Sequence, residues 1–260
     1  MSTTLITGAS GGIGAVYARR FAARGHDLVL VARNTDKLEA LAAELRAAHA
    51  VSVEVITADL AEPADLALVE HRLRLGAPVD TLVNNAGAAL VGPFQGSAPD
   101  RMDHLLRLNV AAPTRLASAA LEGMVARGHG AIVNIGSVVS LMPASFPGIY
   151  AATKAYILTF SQGLAAEAGP KGVYVQAVLP AATRTEIWAK AGVDLAQIPN
   201  VMEAGDLVDA ALVGFDRREA VTIPPLADIG LWEAFEGARA TLPSGLGGAP
   251  AERYRLPASA

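Results

Sequence analysis

Tyr150 and Lys154 stand four positions apart in a run of apolar residues at helical spacing. On a helix that spacing puts both on one face, with Cβ atoms roughly 5–6 Å apart. A phenol and an ammonium are the residue types of proton transfer, although a single Tyr-x-x-x-Lys is equally a surface pair on a helix. The chain has four lysines, Lys37, Lys154, Lys171 and Lys190, so a lysine at this spacing is an uncommon coincidence. Ser137 follows a β-branched run at 132–135, at the end of a strand where open α/β sheets hold ligands. Ser137 precedes Tyr150 by 13 positions and Ser140 by 10, so two hydroxyls compete for one donor role. Asn109 lies in the helical region before them.

A second group sits near the N-terminus. Thr7-Gly8-Ala9-Ser10-Gly11-Gly12-Ile13-Gly14 joins an apolar run to a helical stretch. Such a glycine-rich turn lets backbone approach a pyrophosphate, and the next helix offers free N–H groups and its positive end. The plain alternative is a tight strand-to-helix turn. The second apolar run ends at Arg33, where dinucleotide folds that take NAD(H) carry an acidic residue. An arginine there pairs with a 2′-phosphate, which points to NADP(H), with Lys37 adding charge; a solvated arginine is the other reading. Asp59 either accepts from an adenine amino group or caps a helix, since Asp59-Leu60-Ala61-Glu62 has the form of a capping box.

These groups need elements to hold them. Short apolar runs occur at 4–7, 28–32, 51–57, 81–84, 131–135, 173–179 and 220–223. They are continuous rather than alternating, as strands covered on both faces are. Helical spacing marks 13–24, 37–48 and 150–168, and 98–127 reads as two helices with Pro113 near the junction. Alternating β and α elements predict an α/β fold, a single-domain doubly wound parallel sheet with right-handed crossovers. Proline crowds the end of the chain, so 225–260 reads as a divergent C-terminal appendage with a helix around 231–240.

With Asn84-Asn85-Ala86-Gly87 and Pro180…Thr185 added in their order, the chain over about residues 1–190 resembles the short-chain dehydrogenase/reductase family, compact branch. The resemblance implies a Rossmann dinucleotide-binding fold and a carbonyl reductase activity. It implies Tyr150 as acid/base, Lys154 lowering the phenol's affinity for its proton and holding the nicotinamide ribose, and Ser137 as donor to the substrate oxygen. Asn109 would position a relay water. Gly8, Ser10, Gly12, Ile13 and Gly14 would bind the dinucleotide, with Arg33, Asp59, Leu60, Asn85, Ala86 and Gly87 on the adenosine side. Pro180, Thr183 and Thr185 would bind at the carboxamide. Two departures stand out: Ala181 replaces the usual glycine, and Pro224-Pro225 replaces the usual Asp-Gly-Gly after the last strand. A homodimer or homotetramer is implied, with helices 113–127 and 150–168 as the expected dimer surface.

The substrate loop, 138–146, and the lid, 186–188 with 198–202, are mostly apolar. They favour a carbonyl or alcohol substrate with an apolar or aromatic body. A hydroxy acid would need a cationic anchor, and a 3-oxoacyl thioester on a carrier a basic rim, for which Arg127 and Lys171 are candidates. Arg184 and Glu186 stay unassigned. A non-enzymatic NADP(H)-sensing scaffold would be expected to lack the tyrosine or the lysine.

Composition narrows the rest. The 260 residues are 52% hydrophobic, enough for a buried core. With 21 basic and 25 acidic residues the net charge is −4, which argues against a nucleic-acid partner. There is no cysteine, hence no disulfide, thiolate metal site or cysteine nucleophile, and the five histidines are scattered away from metal-ligand spacing. No apolar run approaches the roughly 18 residues a membrane helix needs, and a signal-peptide pattern is lacking. A cytoplasmic location is the expectation.

Overall fold

A computed structural model describes residues 2–90, 92–144, 146 and 148–255, apart from the side chain of Lys190. Ser145 of the expected substrate loop lies outside the described residues. The strands are β1 (Thr3–Thr7), β2 (Asp27–Ala32), β3 (Val53–Thr57), β4 (Thr81–Asn84), β5 (Gly130–Ile135), β6 (Val173–Val178) and β7 (Val221–Thr222). They pair in parallel in the order β3-β2-β1-β4-β5-β6-β7. The helices are α1 (Gly12–Ala23), α2 (Thr35–Ala48), α3 (Pro63–Leu75), α4 (Pro99–Leu106), α5 (Ala112–Arg127), α6 (Ile149–Ala168), α7 (Ile187–Lys190), α8 (Ala204–Asp216) and α9 (Ile229–Thr241).

The apolar runs are continuous because each strand feeds two cores. Ile6, Leu28 and Leu30 pack with Phe21 of α1, Leu38 of α2 and Leu212 of α8. Their neighbours Leu5, Val29 and Val31 point the other way, against Leu66 of α3, Leu116 of α5 and Leu164 of α6. Ile6 of β1 stands opposite Leu30 on one side and Val83 on the other. The strand order reverses there, which opens a crevice at the carboxyl ends of β1 and β4.

Two helices go beyond the sequence pattern. The buried stripe of α3 is Leu66, Val69, Glu70 and Leu73, so a carboxylate interrupts its apolar periodicity. That carboxylate takes two 2.6 Å hydrogen bonds from Arg115 of α5. On α8 the buried Leu207, Val208, Ala211 and Leu212 are offset by an exposed Val213, which blurs the stripe. The stretch 98–127 does form two helices, joined without a break by a π turn at Arg107–Ala111, with Pro113 directly after that turn.

The chain divides into two compact units, Met1–Pro224, which carries the whole sheet, and Pro225–Ala260. The second contains α9, where a helix is expected, capped by Asp228 accepting from the Gly230 N–H at 2.9 Å. Among the described residues no helix is long and apolar enough to cross a membrane.

Candidate active site

The turn after β1 is packed to the limit of a hydrogen side chain. Gly8 has φ +67°, and a Cβ there would lie 2.7 Å from Asn85 Nδ2 and 2.9 Å from Ala86 Cα. A Cβ on Gly14 would collide with the Gly8 carbonyl. The β4 end holds this turn in place. Thr7 Oγ1 accepts from the Asn85 and Ala86 N–H groups at 3.0 Å each, and Asn85 Nδ2 donates to the Thr7 carbonyl at 2.9 Å. The amide of Asn85 therefore braces the glycine turn. The first turn of α1 has no acidic residue, and no side chain caps its N–H groups.

A cavity of about 1340 Å³ runs from this turn along the carboxyl ends of the strands. Arg33, Asp59 and Leu60 line one end; Gly8, Ser10, Gly12, Ile13, Asn85, Ala86 and Gly87 the middle; Ser137, Tyr150, Lys154, Pro180, Thr183 and Thr185 the other. Gly14 and Asn109 are not on its wall. Gly14 lies one step behind, under Gly8. The buried Asn109 accepts from the Ala88 N–H and donates to the Ala88 carbonyl, both at 2.9 Å, and to Thr153 Oγ1 at 3.2 Å. Its side chain ties the loop after β4 to α6 rather than facing the cavity.

At the first of these ends Arg33 Nη1 faces Asp59 Oδ2 at 3.4 Å, with the Arg33 side chain 61% exposed. Asp59 Oδ1 accepts from the Ala61 N–H at 3.0 Å, and α3 begins after Glu62 without a side-chain cap. The capping-box reading of Asp59 is thus corrected: its carboxylate closes a local turn and meets Arg33. Lys37 is not aimed at Arg33's end either; its ammonium pairs with Glu186 at 2.6 Å.

At the other end Ser137 begins a 3-10 turn after β5, and its hydroxyl donates to the Pro180 carbonyl at 3.2 Å. Ser140 Oγ donates back to the Ser137 carbonyl at 2.7 Å and does not line the cavity, so of the two serines Ser137 faces the site. Loss of surrounding water pushes the Tyr150 phenol up to about 12, and a hydrogen bond with Ser137 works against that rise. Lys154 is buried, which pushes its ammonium down to about 8, and it donates to the Ile135 carbonyl at 3.0 Å.

The lid starts from a fixed base. Met202 bridges to Thr183 in parallel fashion, its N–H donating to the Ala182 carbonyl and its carbonyl accepting from Arg184. Trp188 donates its indole N–H to the Thr183 carbonyl at 2.7 Å, and Arg184 pairs with Glu203 at 2.7 Å. Ala181 fits here because no positive φ is needed; among the described residues that conformation occurs outside glycine at Asn200 and Arg218. The expected basic rim is corrected. Arg127 ends α5 before β5, and Lys171 precedes β6, so both lie at the amino ends of the strands, away from the cavity. Sequence reasoning missed the loop after β4, where Ala89, Leu90, Gly92 and Pro93 add an apolar wall. Its position beyond Asn84-Asn85-Ala86-Gly87, at the strand-order reversal, was the available signal.

The family model described as short chain dehydrogenase matches residues 2–195. The chain belongs to the short-chain dehydrogenase family. Within that family it is similar to a solved short-chain dehydrogenase from Sphingobium yanoikuyae in complex with NADPH, at 57% identity and TM-score 0.96, covering 98% of this chain and 100% of that one. It is also similar to a bulky-bulky ketone specific alcohol dehydrogenase from Comamonas testosteroni, at 50% identity and TM-score 0.92, covering 99% of each chain. Among curated relatives, a very-long-chain 3-oxoacyl-CoA reductase of Anas platyrhynchos is 34% identical over 183 residues, 68% of this chain and 58% of the relative. The chain thus spans less than two thirds of that relative's length.

Proposed function

We propose that the protein is an NADP(H)-dependent oxidoreductase that interconverts a bulky apolar ketone or aldehyde with its alcohol. The observation that carries this reading is the convergence of Ser137, Tyr150 and Lys154 at one end of a cavity whose other end holds Arg33. The glycine turn fits a dinucleotide, because its tight packing against Asn85 and Ala86 leaves bare backbone on the cavity wall and the uncapped start of α1 suits a pyrophosphate. When bound, the reduced dinucleotide supplies the hydride.

The chain's own residues do the rest. The Tyr150 phenol, held protonated, donates its proton to the carbonyl oxygen, so hydride plus proton make the alcohol. Ser137 donates a hydrogen bond to the same oxygen as negative charge builds there. The Lys154 ammonium stabilises the phenolate that Tyr150 becomes. Asn109 is a positioning residue, bracing α6 behind the pair through Thr153. Leu90, Pro93, Val139, Met142, Phe146 and Trp188 supply apolar wall for the substrate body. Arg33 and Lys154 are the cationic side chains among the described residues lining the cavity, which leaves a hydroxy-acid carboxylate no anchor of its own. The relatives that reduce bulky ketones and 3-oxoacyl-CoA agree with a large apolar pocket.

The test is NADPH oxidation with a series of ketones of rising bulk on both sides of the carbonyl, and with a 3-oxoacyl thioester beside them. Turnover that grows with bulk supports the reading. Preference for the thioester would move the substrate assignment to acyl chains, and no turnover with any carbonyl would remove it. Association into a homo-oligomer through α5 and α6, where Tyr156 is 38% exposed and stacks on Phe160, is checked by sedimentation.

A further inference from the structure

Two residues 149 positions apart meet over the nucleotide cleft. The Lys37 ammonium, in the first turn of α2, lies 2.6 Å from Glu186 Oε1. Glu186 is the residue before α7 and lines the cavity. Its Oε1 is also 3.9 Å from where a Cβ on Gly11 would sit, so the carboxylate lies next to the glycine turn. Both flanks of the pair are fixed. Asn34, on the cavity wall, caps α2 by accepting from the Lys37 N–H at 2.9 Å. Thr185 packs on the other side against Gly12, with Cγ2 3.0 Å from that residue's would-be Cβ. The ion pair thus joins the start of α2 to the start of the lid beside the glycine turn, with Thr185 of the lid already against that turn.

We propose that Lys37 and Glu186 form a strap across the nucleotide cleft that retains the bound dinucleotide and fixes the lid to α2 while it is held. This rests on the NADP(H) reading above. An exposed pair is weak, and each side chain here is about half exposed, at 48% and 55%. That weakness suits a strap: it must break once per exchange of cofactor, and a strong pair would trap the product. The strap closes around the dinucleotide as a whole and makes no use of a 2′-phosphate. Its effect is therefore on dissociation, and it is the same for NADPH and NADH.

The alternative has the opposite sign. If Lys37 were a phosphate ligand and Glu186 only its competitor, removing the carboxylate would free the lysine and slow NADPH release.

The experiment is stopped-flow displacement of NADPH and of NADH from the whole protein, wild type beside Glu186→Gln, Lys37→Met and the double variant. The strap predicts dissociation faster by about two- to fivefold in each single variant, the range an exposed pair carries. It predicts the same factor for both dinucleotides and no further gain in the double variant. Wild-type release should also quicken with added salt toward the variants' rate. Unchanged or slower release from Glu186→Gln, or an effect confined to NADPH, overturns the strap while leaving the NADP(H) reading intact. Failure of wild type to bind either dinucleotide overturns that reading itself.

Discussion

The Lys154 ammonium nitrogen lies 5.8 Å from the centre of the Tyr150 ring while it donates to the Ile135 carbonyl at 3.0 Å. The cation is anchored on β5, and the phenol one turn earlier on α6 shares its field without pairing with it. A proton leaving Tyr150 would leave a phenolate beside a fixed positive charge, the arrangement a proton donor needs. Tyr150→Phe removes the proton and little else. Turnover should fall by about 10²–10⁴-fold, while NADPH affinity by fluorescence titration stays within about twofold. Substantial residual turnover would take the acid/base role away from Tyr150.

The direction of the reaction should show in its pH dependence. Carbonyl reduction starts from protonated Tyr150, which burial holds up to about 12, and from charged Lys154, which burial brings down to about 8. The phenol keeps its proton throughout the usual range, so Lys154 titrates first. Reduction measured as kcat/KM should therefore decline as pH rises above about 8. Alcohol oxidation needs the phenolate beside a charged Lys154, so it should rise with pH up to about 8 and level off above it, where Lys154 gives up its own proton. A reduction rate flat from pH 7 to about 10 would detach Lys154 from the chemistry.

Lys154 should also weaken the fold it serves. Its folded pKa is lowered from 10.5 to about 8 by burial, so below pH 8 the folded protein carries a charge it holds less well than the unfolded chain does. That penalty is present at neutral pH and is lost as pH rises from about 8 to about 10.5. Lys154→Met replaces the ammonium with an apolar chain of similar length, at the loss of one hydrogen bond to Ile135. The variant should be inactive yet melt about 2–4 °C higher at pH 7, and the gap to wild type should close toward pH 10. A lower melting temperature at pH 7 would mean that the hydrogen bond outweighs the buried charge.

What could be read in advance follows from how locally each feature is encoded. The strands were legible because a strand buried on both faces must be apolar throughout, as Leu28 to Val31 are. Tyr150 and Lys154 were legible as neighbours because a four-residue helical spacing sets their geometry, whereas the choice of Ser137 over Ser140 came from the family resemblance. The α3 helix was hidden by Glu70, whose partner Arg115 is 45 positions away. The same holds at the site's edges. The Asn109 amide is engaged by Ala88 and Thr153, and the Lys37 ammonium, which the sequence offers as added charge near Arg33, is engaged by Glu186. In each case a contact across the fold, not a local pattern, sets what the side chain does. Lys171 was displaced by topology: a crossover ends at the amino side of the next strand, opposite the ligands.

On the proposed NADP(H) reading, cofactor choice should turn on Arg33 and on the charge beside it. Arg33 Nη1 stands 3.4 Å from Asp59 Oδ2, so the guanidinium both meets a carboxylate and stays largely exposed on the cavity wall. Removing it acts twice against a 2′-phosphate. The phosphate loses its partner, and Asp59 is left as an uncompensated negative charge nearby. A dinucleotide without that phosphate meets neither change with the same force. Arg33→Ala should therefore weaken NADPH by about tenfold or more, equivalent to about 1.4 kcal/mol, and leave NADH nearly unchanged. Adding salt should shrink the wild-type preference, because the site is exposed. Fluorescence titration of both dinucleotides against wild type and variant reads this directly. Equal losses for NADPH and NADH would mean that Arg33 supports the adenosine wall through Asp59 and does not read the phosphate.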